Sequence, residues 1–181
     1  MKNIKIKEVM TPIEDYVTVK ADQTLYDVFQ ILETNQQTTN RHLHRDVIVV
    51  DPAGDFLGKV TMLDIFRALE PGYKRLCKNY QDGILTKQYV LDMMKEYDLW
   101  REPIKDLCER GSHIKIDDIM HTPDETEFLQ EDESLEKALH VYVMGVHQPL
   151  IIKNNEEITG VLRFEDLYDV VRNNMLTCPA P

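Results

Sequence analysis

Apolar residues recur along this chain at two alternating periods. Leu25, Val28, Phe29 and Leu32 keep the i, i+3, i+4, i+7 spacing of a helix with one buried face, and Leu135, Ala138, Leu139 and Tyr142 keep it again. Asp22 and Thr24 before the first helix, and Asp132 and Ser134 before the second, are residue types that cap a helix start. An extended piece precedes each helix, Tyr16 to Val19 and Glu127 to Leu129, and a continuous apolar run follows, VIVV from Val47 and LII from Leu150. Such runs predict strands covered on both faces, and DPAGD and NNEE after them predict turns. A second strand and a second helix complete each set.

The two sets are copies. GKVTMLDI, from Gly58 to Ile65, returns as GVLRFEDL, from Gly160 to Leu167, displaced by 102 residues. IKEVM, ending at Met10, matches IDDIM, ending at Met120, and DQTLYDVF matches DESLEKAL, both displaced by 110. HRDVIVV and HQPLIIK, starting at His44 and His147, are displaced by 103, so most of the length difference falls in the polar stretch TNQQTTNRHL. An insertion in a polar loop costs little. A unit of this size buries its own apolar face poorly, and two copies are expected to pack on each other. Gly58 and Gly160 read as strand starts after a turn.

The order strand, helix, strand, strand, helix, twice over, with a VM near the first start and G-x-x-T-x-x-D where the second strand meets the second helix, resembles the CBS domain pair, or Bateman module. The resemblance covers roughly residues 4–70 and 114–175. It implies an α/β fold of tandem CBS domains, each a small sheet with two flanking helices, packed as a pseudo-twofold disc. The expected divisions are a first CBS domain over 1–72, a helical insertion over 73–113, a second CBS domain over 114–175, and a disordered tail over 176–181. It further implies clefts that bind adenosine compounds such as AMP, ADP, ATP or S-adenosylmethionine.

Elementary chemistry suits such a cleft. A helix N-terminus carries unpaired amide donors that favour phosphate, and a carboxylate beside it accepts hydrogen bonds from both ribose hydroxyls. Thr61 would then donate to phosphate and Asp64 would hold ribose, or the two would simply cap their helix. By the geometry of the resembling family, Asp64, Thr61 and Lys59 work with Glu127, His147 and Gln148, and Asp166 and Arg163 work with Val17, His44 and Arg45. Arg163 replaces the threonine of the first copy. It is either a charged fork tuned to a more phosphorylated ligand or a solvated arginine on the first turn of a helix. The set with Arg45 and Arg163 favours triphosphates; the set with Glu127 suits a nucleoside or monophosphate better.

Composition narrows the class. Formal charge −11 in 181 residues and the lack of a long apolar run argue against nucleic-acid binding and a membrane span. Cys77, Cys108 and Cys178 are odd in number without C-x-x-C spacing, which, with no signal-peptide pattern, predicts reduced thiols in a cytoplasmic protein. His42-x-His44 has no companion ligands at metal-binding spacing. No nucleophile elbow, P-loop or paired catalytic acid appears, so neither an enzyme nor a required cofactor is expected.

Between the copies, Tyr89, Val90, Met93, Met94 and Tyr97 form a helical stripe, and Trp100 and Pro103 close the segment. The stripe either packs on its host or forms a partner surface, a homodimer interface foremost. The expected function is a stand-alone regulatory module that senses an adenosine ligand and acts in trans on an effector protein. The competing reading is a scaffolding module that has lost its ligand.

Overall fold

Both halves of the chain build the same β-α-β-β-α series. The structure, a computed structural model, describes residues 3–38, 45–70, 72–73, 87–100 and 104–177. The first series is β2 (Thr18–Lys20), α1 (Leu25–Thr38), β3 (Val47–Val50), β4 (Phe56–Val60) and α2 (Met62–Leu69). A short strand, β1 (Thr11–Pro12), precedes it. Helices α3 (Lys87–Tyr97) and α4 (Ile104–His113) lie between the copies. The second series is β5 (Phe128–Gln130), α5 (Leu135–Val143), β6 (Leu150–Asn154), β7 (Glu157–Leu162) and α6 (Phe164–Thr177). Leu176 and Thr177, expected in a disordered tail, thus extend α6. Among the described residues no helix is long and apolar enough to cross a membrane.

Each copy forms its own sheet, in the orders β2-β3-β4 and β1-β7-β6-β5. The outer pairs β2–β3 and β5–β6 are parallel. Parallel neighbours need a crossover, and α1 and α5 provide it. The hairpins β3–β4 and β6–β7 are antiparallel, and each shifts register at the repeat-equivalent place, between Val49 and Val50 and between Ile152 and Lys153. Local chemistry closes their turns. Asp51 Oδ1 accepts from the amides of Ala53 at 2.8 Å and Asp55 at 2.9 Å, whereas Asn155 takes a left-handed φ of 55°.

The chain divides into two compact units, and they are not the sequence copies. Residues 17–121 form one, and residues 1–16 with 122–181 form the other. The short segment ahead of each copy packs into the other copy's core: Ile116 joins Val19, Leu25, Val49 and Ile65, and Ile6 joins Leu129, Leu135, Ile152 and Leu167. The backbone bonds of these segments repeat too. Leu25 N donates to Ile114 O at 2.9 Å and Ile116 N to Gln23 O at 3.0 Å, while Leu135 N donates to Ile4 O at 2.9 Å and Ile6 N to Glu133 O at 3.0 Å.

Two details of the helix readings change. Phe29 is 46% exposed, and the inward face of α1 runs through Leu25, Val28, Ile31 and Leu32. The caps are Thr24, which exchanges bonds with Asp27, and Ser134, which accepts from Lys137 N. Asp132 instead pairs with Lys7 at 2.7 Å. That contact's hydrogen bond and charge hold the Asp132 carboxyl below its usual range.

The glycines also have a different role from the one expected. Gly58 and Gly160 sit inside β4 and β7, where the exchanged segment passes against the strand: Lys59 pairs with His121, as Val161 pairs with Thr11. A β-carbon at Gly58 would lie 2.6 Å from His121 O, and one at Gly160 would lie 2.7 Å from Thr11 O. Both obstacles are backbone and cannot rotate away. Gly160→Ala, and separately Gly58→Ala, should therefore cost about 1–3 kcal/mol of stability, the range for forced overpacking. Urea denaturation measures it, and an unchanged midpoint would mean that the segments yield freely.

Candidate functional site

Strand β4 ends at Val60 and Thr61 begins the turn into α2. Thr61 is extended, with φ −108° and ψ 169°, and is the N-cap. Its amide donates to Asp64 Oδ2 at 2.9 Å and its hydroxyl to the same oxygen at 2.6 Å. Asp64 N returns a bond to the hydroxyl at 3.4 Å. This is a capping box, with the short acid of aspartate in place of the usual glutamate. Thr24 and Asp27 build the same arrangement on α1, where Thr24's backbone and hydroxyl donors lower the Asp27 pKa. What sets Asp64 apart is burial, at 8% exposure. Arg67, one turn on, approaches its Oδ1 to 3.7 Å. The sequence reading did not select Arg67, although an i, i+3 pairing with Asp64 was legible in MLDIFR.

In the other unit, Arg163 and Asp166 stand at the start of α6. Arg163 N and Nε both donate to Asp166 Oδ2, at 3.1 and 3.0 Å, and Nη2 donates to Oδ1. The fork therefore grips both carboxylate oxygens. Its side chain is 11% exposed and that of Asp166 15%. Burial lowers the proton affinity of the guanidinium, but the hydrogen bond and charge of Asp166, helped by Tyr16 and Glu165, outweigh it and raise the pKa above the usual arginine value. Arg163 is therefore not a solvated side chain, and its N, Nε and Nη2 are directed at its own helix's acid.

The remaining sequence-selected residues divide between the units. With Thr61 and Asp64 belong Lys59, Val17 and Arg45. Lys59 is fully buried on β4, Val17 O accepts from Ile48 N at 3.0 Å, and Arg45 is exposed just before β3. With Arg163 and Asp166 belong Glu127, His147 and Gln148. Glu127 is 2% exposed and its Oε1 accepts from Asp124 N at 3.2 Å, which closes another capping box. His147 is half-buried and Gln148 exposed. His44, with His42, lies outside the described residues, as do Cys77 and Cys178. Cys108 is a free, exposed thiol.

Residues 6–71 match the family model described as the CBS domain. The fold agrees over nearly the whole chain. A CBS domain-containing protein of unknown function from Bacillus anthracis shares 18% identity, with 95% of each chain covered and a TM-score of 0.60. The CBS-pair protein CBSX2 from Arabidopsis thaliana shares 13% identity over 96% of this chain and 98% of its own, with a TM-score of 0.61. A structure of CBSX2 in complex with AMP aligns at 15% identity over 98% of this chain and 100% of that one, with a TM-score of 0.59. No curated protein matches the sequence. The chain thus holds a CBS domain over residues 6–71 and has the α/β fold of the CBS-pair structures it resembles.

The two acids at the helix starts should respond differently to removal of their partners. Asp166→Ala leaves a mostly buried guanidinium without its acceptor and should lower stability by about 1.5–3 kcal/mol. Arg163→Thr recreates the neutral cap of the first copy and should cost less. Urea denaturation of both variants at pH 7 measures the order, and the reverse order would show that Arg163 serves the fold mainly by packing.

Proposed function

We propose that this protein is a regulatory CBS module that binds an adenosine compound, and that Thr61 and Asp64 form the centre of the binding position. The observation that carries the reading is Asp64: an acid 8% exposed, at a helix start, inside the stretch that matches the CBS domain. A carboxylate there can accept from both hydroxyls of a ribose, and the amides of the first turn of α2 favour a phosphate beside it. That CBSX2, of the same fold, has been crystallised with AMP supports the choice of ligand class. CBS-domain proteins are generally regulatory and not enzymes, so ligand occupancy would be read out by a partner in trans.

The stripe on α3 supports self-association. None of its residues is buried: Val90 is 38% and Met94 53% exposed, and Tyr89, Met93 and Tyr97 are half-covered. Core packing therefore leaves this face available for a second copy of the chain.

A thermal-shift series with AMP, ADP, ATP and S-adenosylmethionine tests the ligand class, because a compound that binds only the folded chain raises its melting temperature. Asp64→Ala should weaken the compound selected by roughly 1.5–3 kcal/mol, the range for hydrogen bonds to a charged group, as read by calorimetry. Unchanged affinity would return Asp64 to a cap alone. For the second surface, Met93→Glu together with Met94→Glu should convert a dimer to a folded monomer in light scattering; a dimer that survives both charges places the contact elsewhere.

A further inference from the structure

The two copies hold their helix-start acids by different means. In the first, Thr61 presents a backbone amide and a hydroxyl, both neutral and both to one oxygen, Oδ2 of Asp64. In the second, Arg163 presents three donors to both oxygens of Asp166, in a pair whose side chains are 11% and 15% exposed. We infer that Arg163 takes, from within the chain, the place of a ribose on Asp166, so that the second copy is closed and the protein takes one adenosine ligand, at the first. This inference rests on the reading of Thr61 and Asp64 as a binding position.

The physical reason is the cost of exchange. A diol reaching Asp64 competes with a hydroxyl that can rotate toward another acceptor and with Arg67, which stands 3.7 Å from Oδ1 and is 46% exposed, so that water can take over its charge. A diol reaching Asp166 must strip a guanidinium of its nearest acid and leave a largely buried cation with only the longer contact to Glu165, a costly way to break a charged pair. Arg163 has little to fall back on. Its Nη1 is buried without a hydrogen-bond partner, and Glu165 Oε2 lies at 3.7 Å. The diol is neutral, so the only charge that could replace the lost one is a phosphate of the same ligand, and it would have to reach Arg163 while the diol holds Asp166.

Native mass spectrometry and calorimetry with AMP count the sites. The parent chain should bind one AMP per chain, and Asp64→Ala or Thr61→Arg should weaken that site at least about tenfold, leaving it empty at the AMP concentration that fills the parent. Arg163→Thr should raise the count to two, and Arg163→Thr combined with Asp64→Ala should bind one, at the opened second copy. Arg163→Gln gives the same comparison should the threonine variant prove unstable. Two AMP per parent chain would overturn the closure of the second copy while leaving the binding position intact. A count that stays at one in Arg163→Thr, falling to none with Asp64→Ala added, would overturn it as well. If no variant and no parent binds AMP or any other adenosine compound, the binding position itself fails.

Discussion

Neither copy of the repeat completes its own core. Each sheet's core includes an isoleucine that comes from the segment ahead of the other copy and packs beside the buried leucine that starts the first helix. Ile116 and Ile6 are both fully buried, and main-chain bonds with the same repeat spacing fix each of them. The glycines follow from this exchange. A segment delivering its isoleucine must run against the last strand of the host sheet, and only a residue without a β-carbon at Gly58 or Gly160 allows backbone to approach so closely.

Within this shared frame the copies diverge at their polar ends. Threonine at the helix start holds the acid through neutral donors on one oxygen, with Arg67 3.7 Å from the other, whereas arginine at the same place grips both oxygens of its acid. One substitution in a repeat thus changes the electrostatic character of a whole turn, while the substituted residue still stands directly before a helix. A second divergence lies in the core. Tyr142 occupies the place of Leu32, and its hydroxyl donates to Leu162 O and accepts from Leu150 N, tying β6 to β7 from the helix side.

The segment between the copies is neither a linker nor a separate domain. Trp100 donates from its amide to Glu70 at 2.7 Å and from its ring nitrogen to the Tyr73 hydroxyl at 3.0 Å, and its ring meets Phe66 edge-on at 6.3 Å. Arg110 on α4 donates to Leu69 O. Arg110 thereby satisfies one carbonyl at the end of α2, and Trp100 ties the segment to Glu70 and Tyr73 just beyond it. The segment therefore finishes a helix of the first copy while leaving the α3 stripe exposed.

Much of the architecture was written in the sequence, because periodicity and repetition are local properties. The apolar spacing from Leu25 and from Leu135, the runs VIVV and LII, and the fixed offsets between copies specify the helices, the strands and their order, and the repeated T-x-x-D or R-x-x-D marks both helix starts. Tertiary structure decided what local spacing cannot carry. Which copy receives Ile6 and which Ile116 depends on pairing across 127 residues of chain for Ile6 with Glu133 and 93 for Ile116 with Gln23. Whether Phe29 or Ile31 faces inward depends on where a helix settles on its sheet, and adjacent apolar positions on one helix leave both open. Whether Arg163 meets water, a ligand or Asp166 depends on burial: in water a guanidinium has many partners, but in a covered turn the acid three residues on is the one that compensates it best.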